Sequence, residues 1–121
     1  MKKGQIQWFE LPTENLERAK TFYETILDIE MQILEFGDFR MALFSDESCS
    51  GALVHHQEFY YPSDKGALMY LHVGNEMDAV LEKVNPNGGS IVIPKRLISE
   101  ERGHMAIIQD TEGNRVGMMG G

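Results

Sequence analysis

The sequence predicts an α+β chain built from two βαβββ modules, the first over about residues 4–56 and the second over about residues 66–121. Three observations carry that expectation. Each half carries, after an opening strand, one apolar stripe at helical spacing, each stripe is followed by short alternating segments bounded by turn residues, and the element order repeats.

The elements follow in order. Residues 6–11 alternate, with Ile6, Trp8 and Glu10 on one face and Gln7, Phe9 and Leu11 on the other, which is the period of a strand. Pro12 cannot donate to a ladder and should close the strand, while Thr13 and Asn15 offer oxygens to cap a helix. In that helix Leu16, Ala19, Phe22, Tyr23, Ile26 and Leu27 form one apolar stripe, leaving Arg18 in solvent. Strands at 30–35, 39–44 and 52–56 should follow, divided by Gly37-Asp38 and by the loop 46–51. Residues 57–66, with their tyrosines, Pro62, Ser63 and Asp64, read as a surface crossover.

The second module begins with a strand at 67–73, whose alternation sets Leu68, Tyr70 and His72 on one face and Met69, Leu71 and Val73 on the face beneath the helices. Asn75 is the second candidate N-cap, and Met77, Val80, Leu81 and Val84 make the second stripe. Asn85-Pro86-Asn87-Gly88-Gly89 must end it. Strands are then expected at 90–93, 104–108 and 115–118, with a loop over 94–103 and a hairpin-like turn from Asp110 to Asn114.

Composition narrows the function classes. A chain of 121 residues with 42% hydrophobic and 25% charged residues is suited to one globular domain. No run approaches the roughly 20 apolar residues of a membrane helix. The start Met1-Lys2-Lys3-Gly4-Gln5 leads into alternation instead of a signal-peptide core, so the expected location is cytoplasmic. A net charge of −8 argues against a nucleic-acid partner. Cys49 has no disulfide or metal-motif partner and no basic neighbour, so it reads as a bystander thiol.

Local motifs add to this reading. The opening Ile6-Gln7-Trp8-Phe9-Glu10-Leu11-Pro12, the helix residues Leu16-Glu17-Arg18-Ala19 and Phe22-Tyr23-Glu24, and the closing stretch from Gly103-His104-Met105-Ala106 through Asp110-Thr111-Glu112-Gly113-Asn114-Arg115-Val116-Gly117 stand in a particular order. Gly51-Ala52-Leu53-Val54, Gly88-Gly89 and Pro94-Lys95 fit the same pattern. Together they resemble the glyoxalase/bleomycin-resistance/extradiol-dioxygenase, or vicinal-oxygen-chelate, superfamily over essentially the whole chain. Thr111 stands where that family more often has proline. The resemblance implies an open, cup-shaped mixed β-sheet with helices on its outer face, a small organic ligand in the cup, and a homodimer.

In metal-dependent members each module supplies two ligands from its first and last strands. Counted onto this chain, those positions fall at Trp8, within 52–54, at Leu68 and at Gly117, none of which offers a lone pair. The resemblance therefore implies a member with no metal cofactor. The expected ligand-binding residues are Trp8, Glu10, Tyr70, His72, Gly117 and Met119. Glu10, beside Trp8 in an apolar cup, would be partly desolvated, which raises a carboxyl pKa and makes it the candidate proton acceptor; the plainer option is that it pairs with a lysine or arginine. His104 reads as a rim residue, and the methionines, Met118 and Met119 among them, as fillers of core and interface gaps, with Met119 also a candidate for the cup lining. Two alternatives stay open. One is a metal-dependent lyase or dioxygenase with a displaced site at Glu10, His55 and His72, the ligand types of a facial triad. The other is a drug-sequestering, resistance-type protein that binds in a dimer groove.

Overall fold

The computed structural model describes residues 1–44 and 50–121, so Cys49 and most of the turn expected at 46–51 lie outside the described residues. The first module contains β1 (Phe9–Pro12), α1 (Leu16–Leu27), β2 (Ile33–Phe36), β3 (Phe39–Leu43) and β4 (Gly51–His55). The second contains β5 (Tyr70–Gly74), α2 (Met77–Val84), β6 (Ser90–Ser99), β7 (Gly103–Gln109) and β8 (Arg115–Gly120). Each module makes one four-stranded mixed sheet, in the orders β1-β4-β3-β2 and β5-β8-β7-β6. The first and last strand of each module pair in parallel, and the other pairings are antiparallel.

Strand alternation and the two helix stripes decide where the core sits. Leu16, Ala19, Phe22, Tyr23 and Ile26 of α1 and Met77, Val80, Leu81 and Val84 of α2 are buried. They share one cluster with Leu11, Leu53, Val73, Val116 and Met118 from both sheets, and Phe9, Met69 and Leu71 pack against it. The faces expected for β1 and β5 are therefore the observed ones, and both helices lie on the same side of the sheets. Aromatic rings fill the space under α1, with Tyr23 edge-on to both Phe22 and Phe44 at centroid distances of 5.0 and 5.2 Å.

The boundaries differ from expectation in instructive ways. β1 starts at Phe9, leaving Ile6 and Trp8 outside it, because its ladder with β4 begins where Phe9 N–H donates to Ser50 O. Pro12 is the last residue of β1, which is tolerable on an edge strand. β6 continues through Pro94 to Ser99, where a loop over 94–103 was expected. As the outer strand it pairs only with β7, and register shifts between Ile91 and Ile93 and between Ile93 and Arg96 accommodate the proline. Asn15 does cap α1, accepting from Arg18 N–H at 3.0 Å. Asn75 does not cap α2; the cap position is Glu76, with no side-chain bond.

The turn from Asp110 to Asn114 does more than reverse the chain. Gly113 takes the left-handed conformation, φ 91°, that lets the turn close. The Glu112 side chain, fully shielded from solvent, then reaches the start of α1. Its Oε1 accepts from the backbone N–H groups of Glu14 and Asn15 at 2.9 and 2.8 Å, and Arg18 donates from Nε at 2.8 Å and Nη2 at 3.0 Å. Arg18 was expected to stay in solvent; it is only 49% exposed because this carboxylate holds it. Tyr23 OH donates to Asp110 at 2.7 Å, and Asn114 Nδ2 donates to Pro12 O at 2.7 Å. The last hairpin of module two thus locks β1 and α1 of module one.

Candidate functional site

The site is built on the sheet faces turned away from the helices. Since Leu11 faces the helices, Glu10 projects the other way, and the same parity sets Tyr70 and His72 of β5 with Gly117 and Met119 of β8. β1 and β5 are the facing edges of the two sheets and border the same openings. One cavity of about 370 Å³ is lined by Phe9 together with Leu71, His72 and Val73, and another of about 220 Å³ by Leu11 and Pro12 together with Ala67 and Met69. The edges therefore run past one another in opposite directions, and the Trp8-Glu10 and Tyr70-His72 pairs flank one seam.

Glu10 is the polar centre. Its Oε2 accepts from Trp8 Nε1 at 3.2 Å and its Oε1 accepts from Tyr60 OH at 2.6 Å. The partner expected under the plainer option was a lysine or arginine; the partners found are an indole and a phenol. The Glu10 bond, with burial adding to it, pushes the Tyr60 pKa up to about 12. Tyr60 thus keeps its proton through the neutral range, so it is the donor of the pair and Glu10 the acceptor. Each carboxylate oxygen keeps a lone pair for a ligand donor.

Tyr60 itself was not singled out in the sequence. It falls in the crossover after His56, where Phe59 and Tyr61 on either side are 71% and 69% exposed. Tyr60 turns inward onto Met41, Ala52 and Val54, beside Phe39. The run Phe59-Tyr60-Tyr61 inside a polar connection was the available signal.

The histidines separate by strand parity. His56, not His55, joins the Tyr60 side, held between the tilted rings of Phe39 and Phe59 at centroid distances of 4.7 and 4.9 Å. Its Nδ1 accepts from Glu58 N–H. His55 turns the other way, and its Nδ1 donates to Thr13 O at 2.9 Å. His104, expected at the rim, is half-buried in β7 with Nδ1 bonded to Gly121 O. Met118 is buried in the core and Met119 is half-buried on the site face.

The metal positions that the resemblance implies do not fit a cation. Trp8 Nε1 is a donor already spent on Glu10. Ala52 and Val54 are buried among apolar side chains. At Gly117 the Tyr70 ring lies where a Cβ would stand, so the position has no room for a ligating side chain. Among the described residues no three His, Cys, Asp or Glu side chains are grouped to hold a metal ion, so Glu10, His55 and His72 do not form the displaced triad. Nor is any described helix long and apolar enough to cross a membrane.

Comparison with known proteins agrees with this architecture. A glyoxalase/bleomycin resistance protein from Albidiferax ferrireducens superposes with a TM-score of 0.69 at 15% identity, covering 95% of this chain and 97% of that one. A glyoxylase/bleomycin resistance protein/dioxygenase domain from Frankia gives 0.72 at 17% identity, covering 99% of both chains. A fosfomycin resistance protein from Listeria monocytogenes gives 0.66 at 14% identity, covering 100% of this chain and 93% of that one. A search of curated protein sequences finds no significant match. The family model for the glyoxalase/bleomycin resistance protein/dioxygenase superfamily matches residues 5–118. With both halves of the fold and the closing hairpin inside that match, the chain belongs to this superfamily.

Proposed function

We propose that this chain is a metal-independent member of its superfamily that binds a small, partly apolar organic molecule in the cup over the β1/β5 seam. The observation that carries the reading is the Trp8-Glu10-Tyr60 arrangement: an exposed indole, a carboxylate fixed from both sides and a phenol that holds its proton, with an equally exposed Tyr70 ring on β5. Aromatic faces supply contact area, and the oriented carboxylate supplies direction. Glu10 receives a hydrogen from the ligand, as a binding anchor or as a proton acceptor. His72 and Met119, paired in register, form the far wall.

The experiment is a ligand screen by melting temperature, followed by Trp8 fluorescence and by titration with Ni, Zn, Mn and Fe. A bound ligand should raise the melting temperature by an amount set by its concentration over Kd, and should change Trp8 emission. Glu10→Gln should weaken that ligand about tenfold while the fold is kept. A ligand that leaves Trp8 silent would move the site elsewhere. Stoichiometric uptake of any of the four metals by the native protein would overturn metal independence.

We also propose a homodimer. Val92, Leu97 and Ile98 of the outer strand β6 are exposed, more apolar side chain than a solvated edge needs. Light scattering should report twice the chain mass of 13.7 kDa, and a monomer would refute it.

A further inference from the structure

Arg115 opens β8, one residue before Val116, which faces the helices, and two before Gly117, so alternation turns it toward the cup. It lines a cavity of about 220 Å³ with Glu10, Ser63, Lys65, Met69 and Asn114. Among the described residues its side chain makes one hydrogen bond, from Nη2 to Gly66 O at 3.1 Å, and its Nε, buried, finds no acceptor. Nor does any described carboxylate pair with it, although the chain carries 19 acidic residues against 11 basic ones. Glu10 borders the same cavity, but its oxygens are turned to Trp8 and Tyr60.

A half-buried guanidinium in an acidic protein is ordinarily matched by a carboxylate, because an unpaired cation loses hydration and gains nothing. Arg18 and Arg40 are matched in this way, by Glu112 and by Glu17. Lys65 borders the cavity too, with a side chain 87% exposed whose ammonium pairs, among the described residues, with its sequence neighbour Asp64 alone. The guanidinium has five donors and uses one of them here, in a fork that suits a planar or tetrahedral oxyanion.

From this corner we infer the ligand class: a small organic acid whose carboxylate or phosphate oxygens seat on Arg115 and Lys65, and whose hydroxyl or amine donates to Glu10. The inference rests on the cup being the binding site. It adds a charge requirement that nothing in the Trp8-Glu10-Tyr60 arrangement imposes.

The test compares mandelate, phenyl phosphate and the neutral mandelamide by calorimetry, while the Arg115 Nε–H resonance is followed by NMR. Mandelate or phenyl phosphate should bind at least tenfold tighter than mandelamide and shift that resonance saturably; which of the two binds tighter identifies the head group. Arg115→Gln should erase the preference for the anion, and should that variant not fold, the wild-type comparison decides alone. Equal affinities, or an unmoved Arg115 resonance, overturn the proposal. Mandelamide binding as tightly as mandelate with a Trp8 response would leave the cup standing and remove the anion corner. A shifted Arg115 resonance with silent Trp8 would instead support the corner and refute the cup.

Discussion

Glu112→Ala should destabilise the protein by about 3 kcal/mol and lower the melting temperature by about 10 °C. The side chain is fully shielded and accepts from two backbone N–H groups, two Arg18 nitrogens and Thr111 OH. Its removal strands the N–H groups of Glu14 and Asn15 at the start of α1 and leaves Arg18 without its partner. Arg18 is half-exposed and recovers hydration, which holds the loss below that of a fully buried pair. Glu112→Gln keeps one acceptor and should lose less. Thermal melts of both variants are the check; a Glu112→Ala protein melting within 2 °C of wild type would mean that the hairpin does not hold the helix. Burial opposes ionisation of Glu112, but the bonds from Arg18, Asn15 and Thr111 outweigh it and keep the carboxyl below the usual glutamate range. A depressed folded-state pKa contributes stability that is present above the unfolded value and lost as pH falls through the folded one. Wild type should therefore lose this contribution below the ordinary glutamate pKa, and Glu112→Ala should lack that part of the acid transition.

Asp110→Ala should cost a similar amount, about 3 kcal/mol, for a different reason. Asp110 accepts from Tyr23 OH, from the N–H groups of Glu112 and Asn114, and from Asn114 Nδ2. Without it the Tyr23 hydroxyl and two amides are left in a buried turn with no acceptor, and the turn that aims Glu112 loses its brace. Burial raises the Asp110 pKa despite those four bonds, so its linkage has the opposite sign to that of Glu112. The folded state binds the proton first, and between the ordinary aspartate pKa and the raised value stability grows as pH falls. Denaturant midpoints measured across the acid range should show a flatter profile in Asp110→Asn than in wild type. A midpoint for Asp110→Ala equal to that of wild type would remove the brace.

What the sequence made legible follows the reach of its physics. Period-two alternation placed Leu11 and Val73 under the helices and Glu10, Tyr70 and His72 on the other face, because the pleat allows no other parity. Asn15 was visible as a cap because capping is local. Pro94 misled, since a proline ends an interior strand but not an outer one, and strand order is not written locally. His55 and His56 were indistinguishable until the β4 register was known, one residue deciding the face. Tyr60 and Glu112 act across 50 and 97 residues of chain, and no periodicity announces such a partner.

The hairpin that secures α1 also orders events during synthesis. Glu112 meets Asn15 across 97 residues, so α1 receives the carboxylate at its N-terminus only after the whole stretch up to the last hairpin has been made. Until then its buried stripe lacks Val116 and Met118 as well, which leaves an early helix with half of its packing partners still untranslated. Vectorial folding in two independent steps is thereby disfavoured, and the amino-terminal half matures together with the carboxyl-terminal one.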